Sequence, residues 1–250
     1  MKEILRVIDV KKSFGGVKAL DGVNMTFEKG RRILIIGPNG SGKTTLINVI
    51  SGVYKPDQGK IVYKNLDITG WSPNKIYELG IVRTFQIPLV FRKLTVLENL
   101  LIAARRKSGE SVLTSLLRMS WIKEEKELTE KALKILEMLK LDHLWDKPAY
   151  ALSGGQLKLL EIGKTLMSDA NLILLDEPVA GIHPNLAHDM LDRILSSDTD
   201  RTYVIVEHRL DIVLKYVDYV YAMHQGAVIS EGVPSEVLKN RELVEVYLGG

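Results

Sequence analysis

The segment from Gly37 to Thr44 carries residues whose types and spacing suit the binding of a phosphate chain. It follows the apolar run Ile33–Ile36 directly and leads into a helical pattern that starts at Thr44. Glycines let successive backbone N–H groups turn toward an anion, and the N-terminus of the following helix adds positive potential. A strand, a glycine-rich loop and a helix in this order are typical of a P-loop. A plain glycine-rich turn is the alternative, and the fixed positions of the loop in this context make it the less favoured one.

The side chains of this loop have expected parts in holding a nucleotide. Lys43 reaches the β- and γ-phosphates, and the Thr44 hydroxyl ligates Mg²⁺. The residues expected to bind the nucleotide through the P-loop and the start of its helix are Gly37, Pro38, Asn39, Gly40, Ser41, Gly42, Lys43, Thr44 and Thr45.

Two adjacent carboxylates follow a second apolar run, Leu172–Leu175. Asp176, at the carboxyl end of a buried strand, suits holding Mg²⁺ against the phosphates. Glu177 suits polarising the water that attacks the γ-phosphate. A surface turn explains an Asp-Glu pair equally well when the pair is taken alone. The P-loop upstream favours the catalytic interpretation.

The string Leu152-Ser153-Gly154-Gly155-Gln156 is the most specific one in the chain, and a helical pattern follows it. Ser-Gly-Gly before a helix makes a second anion-binding N-terminus. A serine cap with a glycine turn explains the start of the helix. It does not explain why one chain carries a second phosphate-seeking loop.

Along the chain, the P-loop comes first, Leu152–Gln156 second and Leu172–Glu177 third, and three such motifs in that order resemble those of the ATPase subunit of the ATP-binding cassette (ABC) family, over essentially the whole chain. The resemblance implies ATP hydrolysis by two subunits paired head to tail. Each ATP then lies between the P-loop of one subunit and the signature loop, Leu152–Gln156, of the other. The signature residues implied to bind the nucleotide in trans are Ser153, Gly154, Gly155 and Gln156.

Three further positions match switches of that family. The resemblance implies that Gln86 senses Mg²⁺ and the attacking water, that His208 contacts the γ-phosphate, and that Phe14 stacks on adenine. A structural histidine and a core-packed phenylalanine are the alternatives for the last two. His183 departs from the pattern, because the family usually has an aspartate there. The implied catalytic residues are Lys43, Gln86, Glu177 and His208, and the implied metal ligands are Thr44, Gln86 and Asp176.

Short apolar runs alternate with helical patterns, which predicts an α/β fold with a largely parallel sheet. The resemblance specifies a P-loop ATPase core with an antiparallel β-subdomain and an inserted α-helical subdomain. We expect a single domain over 1–250, with the nucleotide-binding core in 1–86 and 158–250 and the helical signature subdomain in 87–157. The predicted strands are Ile4–Val10, Gly22–Phe27, Ile33–Ile36, Ile61–Tyr63, Leu172–Leu175, Tyr203–Val206 and Tyr219–Met223, and a helix is predicted over Thr44–Ser51.

Composition excludes several other classes of protein. A chain of 250 residues with 46% hydrophobic and 26% charged residues is typical of a folded globular protein. The absence of cysteine excludes disulfides and thiolate chemistry. Apolar runs are much shorter than the roughly twenty residues of a membrane span, and charge interrupts the N-terminal stretch at once, so we expect cytoplasmic residence. A net charge of +3 is too weak to indicate a nucleic-acid partner.

The sequence around the switches narrows the resemblance to the ATPase of branched-chain amino-acid importers. The stretches that carry it are Gly80–Gln86, Thr95–Leu100, Glu177–Gly181, Ala187–Asp189 and Glu207–Val213. The implied partners are separate transmembrane permease subunits, a second cassette ATPase and, indirectly, a solute-binding protein, at the inner face of the cell membrane. The ATPase of lipopolysaccharide export is one alternative, and a soluble cassette protein acting on ribosomes or DNA is another. A P-loop kinase or GTPase would leave Leu152–Gln156 unexplained.

Overall fold

A computed structural model describes residues 2–84, 89–104, 118–197, 200–240 and 243, with the backbone alone described at 118–121 and 197. The chain divides into two compact units. The core unit spans residues 1–86, 170–180 and 184–250, and the helical unit spans 87–169 and 181–183. Within the described residues, no helix combines the length and the apolar character that crossing a membrane requires.

All strands belong to the core unit. They are β1 (Glu3–Phe14), β2 (Val17–Glu28), β3 (Arg32–Ile36), β4 (Gln58–Tyr63), β5 (Leu66–Asp67), β6 (Ile81–Arg83), β7 (Leu172–Asp176), β8 (Thr202–Val206), β9 (Tyr219–His224) and β10 (Ala227–Gly232). One sheet has four strands in the order β2-β1-β4-β5, all antiparallel, and the other has six in the order β10-β9-β3-β8-β7-β6.

Helices occur in both units. They are α1 (Lys43–Ile50), α2 (Pro73–Glu78), α3 (Val96–Ala103), α4 (Arg118–Met138), α5 (Gly154–Met167), α6 (Pro184–Ser197), α7 (Leu210–Val213) and α8 (Pro234–Val237). Short 3₁₀ turns cover Asp142–Leu144, Ala149–Ala151 and Leu214–Tyr216. Helices α3, α4 and α5 belong to the helical unit, and the others belong to the core unit.

The six-stranded sheet is parallel except at one edge. Strand β3 lies parallel between β8 and β9, and β7 lies parallel between β8 and β6, while β10 runs antiparallel to β9. Strands Ile33–Ile36 and Leu172–Leu175 are buried throughout, as expected for parallel strands covered on both faces. The carboxyl ends of β3, β6, β7 and β8 therefore meet at one edge, where ligands of open α/β sheets bind.

One tyrosine links the two sheets of the core unit. The Tyr221 hydroxyl, from β9, donates to the backbone oxygen of Thr26 in β2 at 2.9 Å and accepts from the backbone N–H of Thr26 at 3.0 Å. Burial raises the pKa of Tyr221 to about 12, so the hydroxyl keeps its proton across the physiological range. These hydrogen bonds hold β2 next to β9, which pairs with β3.

The helices of the helical unit pack closely at Gly163 in α5. A Cβ at this glycine would lie 2.9 Å from a methyl group of Leu139 and 3.0 Å from one of Leu100. Asn99 of α3 is fully buried and orders the segment before the helix, because it accepts from the Phe91 N–H at 2.8 Å and donates to the Thr95 oxygen at 2.9 Å. The packing at Gly163 holds α5, the helix that starts at the signature loop, against α3 and the residue that follows α4.

The predicted strands are present, and several are longer than predicted. Three strands were not predicted: β5, β6 and β10. Strand β5 has two residues and β6 has three, too few for a periodic signal, and β10 is only partly buried. The expected subdomain boundary between residues 157 and 158 falls inside α5, which is continuous over Gly154–Met167, so the compact helical unit extends to residue 169.

Candidate functional site

The loop between β3 and α1 depends on glycine at two positions. Gly37 has a φ of 151° and Gly42 a φ of 103°, both in the region that side chains disfavour. A Cβ at Gly37 would lie 2.2 Å from the Met223 backbone oxygen, and one at Gly42 would lie 2.4 Å from the Ala19 backbone oxygen. Because these neighbours are backbone oxygens and not flexible side chains, only glycine fits at positions 37 and 42 in this loop conformation.

The side chain of Lys43 folds back over the P-loop and contacts its oxygen atoms. Its Nζ donates to the backbone oxygens of Gly37 and Pro38, at 2.8 Å each, and lies 3.3 Å from Ser41 Oγ. Burial lowers the pKa of Lys43, whereas the charges of Glu177 and Asp176 raise it. The ammonium group thus lies over the loop with neutral partners, which a phosphate chain can replace with a stronger, charge-assisted contact.

The start of α1 leaves its backbone donors open. Gly42 is the N-cap residue, and no side chain of the described structure forms a cap hydrogen bond there. The first N–H groups of a helix have no partners within the helix, and they carry the positive end of its dipole. With Lys43 at the same place, this helix start has the chemistry of a phosphate cradle.

Asp176 ends β7 and is fully buried. Its backbone N–H donates to the Thr84 hydroxyl at 3.1 Å, and its Oδ2 lies 3.5 Å from Arg83 Nη2. The Arg83 guanidinium also donates to the side chain of Asn48 in α1 and to Ser51 Oγ, at 3.3 Å for Ser51. Arg83 therefore ties this carboxylate to the helix that follows the P-loop.

The oxygen donors at this edge fit a hard divalent cation. Asp176 offers a carboxylate, and Thr44 is exposed in the first turn of α1 and offers a hydroxyl. Mg²⁺ prefers such ligands and keeps several positions for phosphate and water. Across the described ranges, no group of three or more acidic, histidine or cysteine side chains forms a cation site by itself. The Asp176 carboxylate and the Thr44 hydroxyl are oxygen ligands of the kind that Mg²⁺ takes.

Glu177 and His208 form a pair beyond the ends of β7 and β8. His208 Nε2 lies 3.5 Å from Glu177 Oε1, with side chains 38% and 29% exposed. Glu177 has a φ of 51°, which is uncommon for a residue other than glycine, and its N–H donates to the Val206 oxygen at 2.9 Å. A partly exposed carboxylate beside an imidazole, as Glu177 is beside His208, can orient a water molecule and take its proton.

Phe14 lies at the end of β1 and is 42% exposed, so core packing does not account for it. Its ring meets that of Tyr54 edge to face, with centroids 5.1 Å apart, and Lys12 Nζ lies 5.3 Å from its centre. Asp57 accepts from Lys12 Nζ at 2.8 Å and from the Ser13 N–H at 2.7 Å, and these hydrogen bonds lower the pKa of Asp57. The exposed ring is thus held in place from its own strand.

The signature loop begins α5 with a capping box. Ser153 Oγ accepts from the Gln156 N–H at 3.3 Å, and the Ser153 N–H donates to Gln156 Oε1 at 2.9 Å. Among the described residues, nothing lies within 4 Å of a Cβ built at Gly154, and one built at Gly155 has a single neighbour, the Gly181 backbone oxygen at 4.0 Å. Ser153 therefore caps α5, as a serine before a helix would suggest, and the two glycines leave open space beside it among the described residues.

The predicted residues are distributed between the two units. The core unit brings Lys43, Asp176, Glu177 and His208 close together, since Lys43 feels both carboxylates and Glu177 contacts His208. Pro38, Asn39, Gly40 and Ser41 lie in the P-loop, and Thr45 lies in the first turn of α1. Ser153–Gln156 belong to the helical unit, where His183 is exposed. Gln86 lies outside the described residues.

Sequence reasoning assigned no role to Arg83, Thr84 or Glu207. Arg83 and Thr84 contact Asp176, which is more than ninety residues away in sequence, and no local spacing predicts such a contact. Glu207 is 1% exposed and accepts from the Val179 N–H at 2.8 Å. A signal was available for Glu207, because it follows the apolar run Tyr203–Val206 as Asp176 follows Leu172–Leu175.

Comparison with known proteins bears directly on this site. The family profile described as ABC transporter matches residues 20–180. A probable branched-chain amino acid transport ATP-binding protein LivG from Archaeoglobus fulgidus is 54% identical over 248 residues, covering 99% of this chain and 96% of the relative. One of the same name from Methanocaldococcus jannaschii is 52% identical over 252 residues, covering 99% and 98%.

Solved structures agree with the fold. A nucleotide-free ATP-binding cassette from an ABC transporter has a TM-score of 0.84 and 50% identity, covering 99% of this chain and all of its own. The ADP conformation of an ATP-binding cassette of an ABC transporter has a TM-score of 0.84 and 50% identity, covering 100% of both chains. The predicted fold class, a P-loop ATPase core with an antiparallel β-subdomain and an inserted helical subdomain, is confirmed.

Proposed function

This chain belongs to the ABC transporter family, and on that premise we propose that it is the ATP-hydrolysing subunit of an importer of branched-chain amino acids. The substrate follows from the names of its relatives. Both archaeal relatives are described as branched-chain amino acid transport proteins, and so is a relative from Escherichia coli at 31% identity over 249 residues. Those names favour this substrate over lipopolysaccharide.

The observation that carries the proposal is the meeting of the P-loop, Asp176, Glu177 and His208 at the carboxyl edge of one sheet. ATP binding uses the chain's own donors. The open N–H groups at the start of α1 and the ammonium of Lys43 bind the β- and γ-phosphates, and the exposed ring of Phe14 stacks on adenine. The Gly37 and Pro38 oxygens release Lys43 as the phosphates arrive.

Hydrolysis needs a positioned water and a stabilised phosphoryl group. Glu177 orients the water and takes its proton, and His208 holds the γ-phosphate beside it. Thr44 and Asp176 would hold Mg²⁺, with Gln86 as a further ligand, and that ion supplies charge neutralisation at the phosphates. Arg83 keeps the Asp176 carboxylate in place when no cation is bound.

The helical unit carries the partner contacts in this proposal. Ser153, Gly154, Gly155 and Gln156 bind the ATP held by a second cassette subunit, so the working form is a dimer, with this chain peripheral on the cytoplasmic face of the membrane. Exposed apolar side chains of this unit, Leu89, Phe91 and Ile102, suit contact with the permease subunits. A solute-binding protein acts through those permeases.

A pull-down from membranes tests the assignment. The tagged Glu177→Gln chain, with ATP and Mg²⁺, is recovered from gently solubilised native membranes, and Lys43→Ala serves as a control that cannot hold ATP. We expect two hydrophobic permeases and a second cassette to accompany the Glu177→Gln chain, and leucine uptake to fall in cells lacking the gene. Recovery of ribosomal or DNA-bound factors without permeases would contradict the proposal.

A further inference from the structure

We propose that Glu207 is a positioning residue that holds the catalytic pair Glu177 and His208 in working geometry. The inference rests on the proposed function, since it concerns the two residues assigned there to hydrolysis. Glu207 directly follows β8 and is 1% exposed, although a carboxylate is rarely buried without partners.

The carboxylate of Glu207 joins two loops that are about thirty residues apart in sequence. Oε1 accepts from the backbone N–H of Val179, at 2.8 Å, in the turn that follows Glu177. Oε2 accepts from the N–H of His208 at 3.0 Å and from the N–H of Arg209 at 3.3 Å. One oxygen thus fixes the loop of the carboxylate, and the other fixes the loop of the imidazole.

The backbone at Glu177 needs such support. Its φ of 51° is a strained conformation for this residue type, and such strain persists only where the surroundings enforce it. The Val206 oxygen accepts from the Glu177 N–H at 2.9 Å, and the Ala180 N–H donates back to the Glu177 oxygen at 3.2 Å. Glu207 adds the contact that anchors the middle of this turn to β8.

A carboxylate is the group that this position requires. Backbone N–H groups point at both of its oxygens, so both must be acceptors. A glutamine has the same size, but its amide nitrogen would face an N–H group and leave that buried donor unpaired. Either the turn after Glu177 or the turn at His208 would then move. An aspartate keeps both oxygens but is one methylene too short to span the two turns.

The test compares Glu207→Gln and Glu207→Asp with the parent chain and with Glu3→Gln, a control at a side chain that is 55% exposed. We expect kcat for ATP hydrolysis to fall ~10–100-fold in Glu207→Gln, because small displacements of reacting groups cost that much. The Kd for ATP should stay within about twofold, since the P-loop is untouched. An unchanged kcat in a folded Glu207→Gln or Glu207→Asp chain would overturn the inference. If Glu207→Gln does not fold, Glu207→Asp alone decides.

A double-mutant cycle separates positioning from general loosening. The rate of ATP hydrolysis is measured under single-turnover conditions. In the Glu177→Gln background, Glu207→Gln should lower this rate by a much smaller factor than in the parent, because the Glu177 carboxylate that Glu207 helps to position is already absent. An equal factor in both backgrounds would overturn the inference. If Glu177→Gln alone hydrolyses ATP at the parental rate, the proposed function is contradicted. If Glu177→Gln loses ATP hydrolysis and Glu207→Gln keeps it, only the role of Glu207 is contradicted.

Discussion

Two helix starts in this chain carry glycines and anion-binding chemistry, and they are built in opposite ways. Helix α1 begins after Gly42, whose φ of 103° only glycine adopts readily, and no described side chain caps it. Helix α5 begins after Ser153, whose φ of −66° is ordinary, and a complete capping box closes it. The first start has no side-chain cap, whereas in the second the cap pairs the N–H groups of Ser153 and Gln156.

The difference indicates two kinds of phosphate contact. The start of α1 has Lys43 poised over it and needs only to exchange two backbone oxygens for phosphates. At the start of α5 the Ser153 hydroxyl accepts from the Gln156 N–H, and its own proton remains available to an anion. In the proposed function, the first start holds the nucleotide of this chain, and the second contacts the nucleotide held by another subunit.

Replacing the lysine should give the largest effect. Lys43→Ala removes the charge at the phosphate cradle, and we expect kcat/KM for ATP to fall at least ~10²–10³-fold. Steady-state phosphate release measures the change. Lys126→Ala, at a helix side chain that is 77% exposed, is the matched control and should hydrolyse ATP at the parental rate. Equal activity in the two variants would remove the distinction between the helix starts.

Adding one methyl group at each start compares their backbones. Gly42→Ala must place a Cβ 2.4 Å from the Ala19 oxygen at a positive φ, and we expect it to lower the free energy of unfolding by at least about 1–3 kcal/mol. Gly154→Ala meets no described atom within 4 Å, and we expect it to change the stability of the isolated chain little. Urea denaturation compares the two, and similar losses would show that the starts do not differ as described.

Two substitutions at Ser153 separate capping from nucleotide contact. Ser153→Ala removes the cap and should cost ~1 kcal/mol of stability. Ser153→Asp keeps a cap acceptor but sets a negative charge where a phosphate would lie, so it should retain stability and lose ATP-dependent dimerisation. Urea denaturation and light scattering give the two readouts. A Ser153→Asp chain that dimerises normally would limit this loop to capping.

The smallest effect concerns pH. Burial lowers the pKa of Lys43 from its ordinary 10.5, so the free protein loses this proton at a lower pH than an exposed lysine does. Bound phosphates favour the charged form and raise the pKa again, and ATP binding therefore takes up a proton at alkaline pH. We expect the Kd for ATP to rise a few-fold, at most about tenfold per pH unit, above the lowered pKa. A Kd that begins to rise no earlier than for a lysine with the ordinary pKa of 10.5 would contradict the buried, neutral-partnered state of Lys43.

The sequence predicted best where chemistry and local pattern coincide. Gly37–Thr44 lies between an apolar run and a helical pattern and has the residue types of a P-loop, so the loop and its place were predictable. Asp176 and Glu177 directly follow the apolar run Leu172–Leu175, so their place at the end of a strand was predictable too. The order of β3, β8 and β7 in the sheet was not predicted, because pairing between distant strands leaves no local pattern.

The supporting residues were not predictable in this way. Arg83 contacts Asp176 and the C-terminal end of α1, and Asp57 holds the strand that presents Phe14. Each of these contacts joins segments more than thirty residues apart, and charged residues on short strands and turns are common on any surface. The three-dimensional structure is needed to show which of them contact residues of the site.

The most direct test of the central claim is the mass of the Glu177→Gln chain in solution with ATP and Mg²⁺, measured by light scattering. If the P-loop of one copy and the signature loop of another share ATP, the 28.1 kDa chain should double in mass with ATP and return to a monomer with ADP. The Glu177→Gln chain that also carries Ser153→Asp should remain a monomer. A Glu177→Gln chain that binds ATP and stays monomeric at saturation would contradict the account.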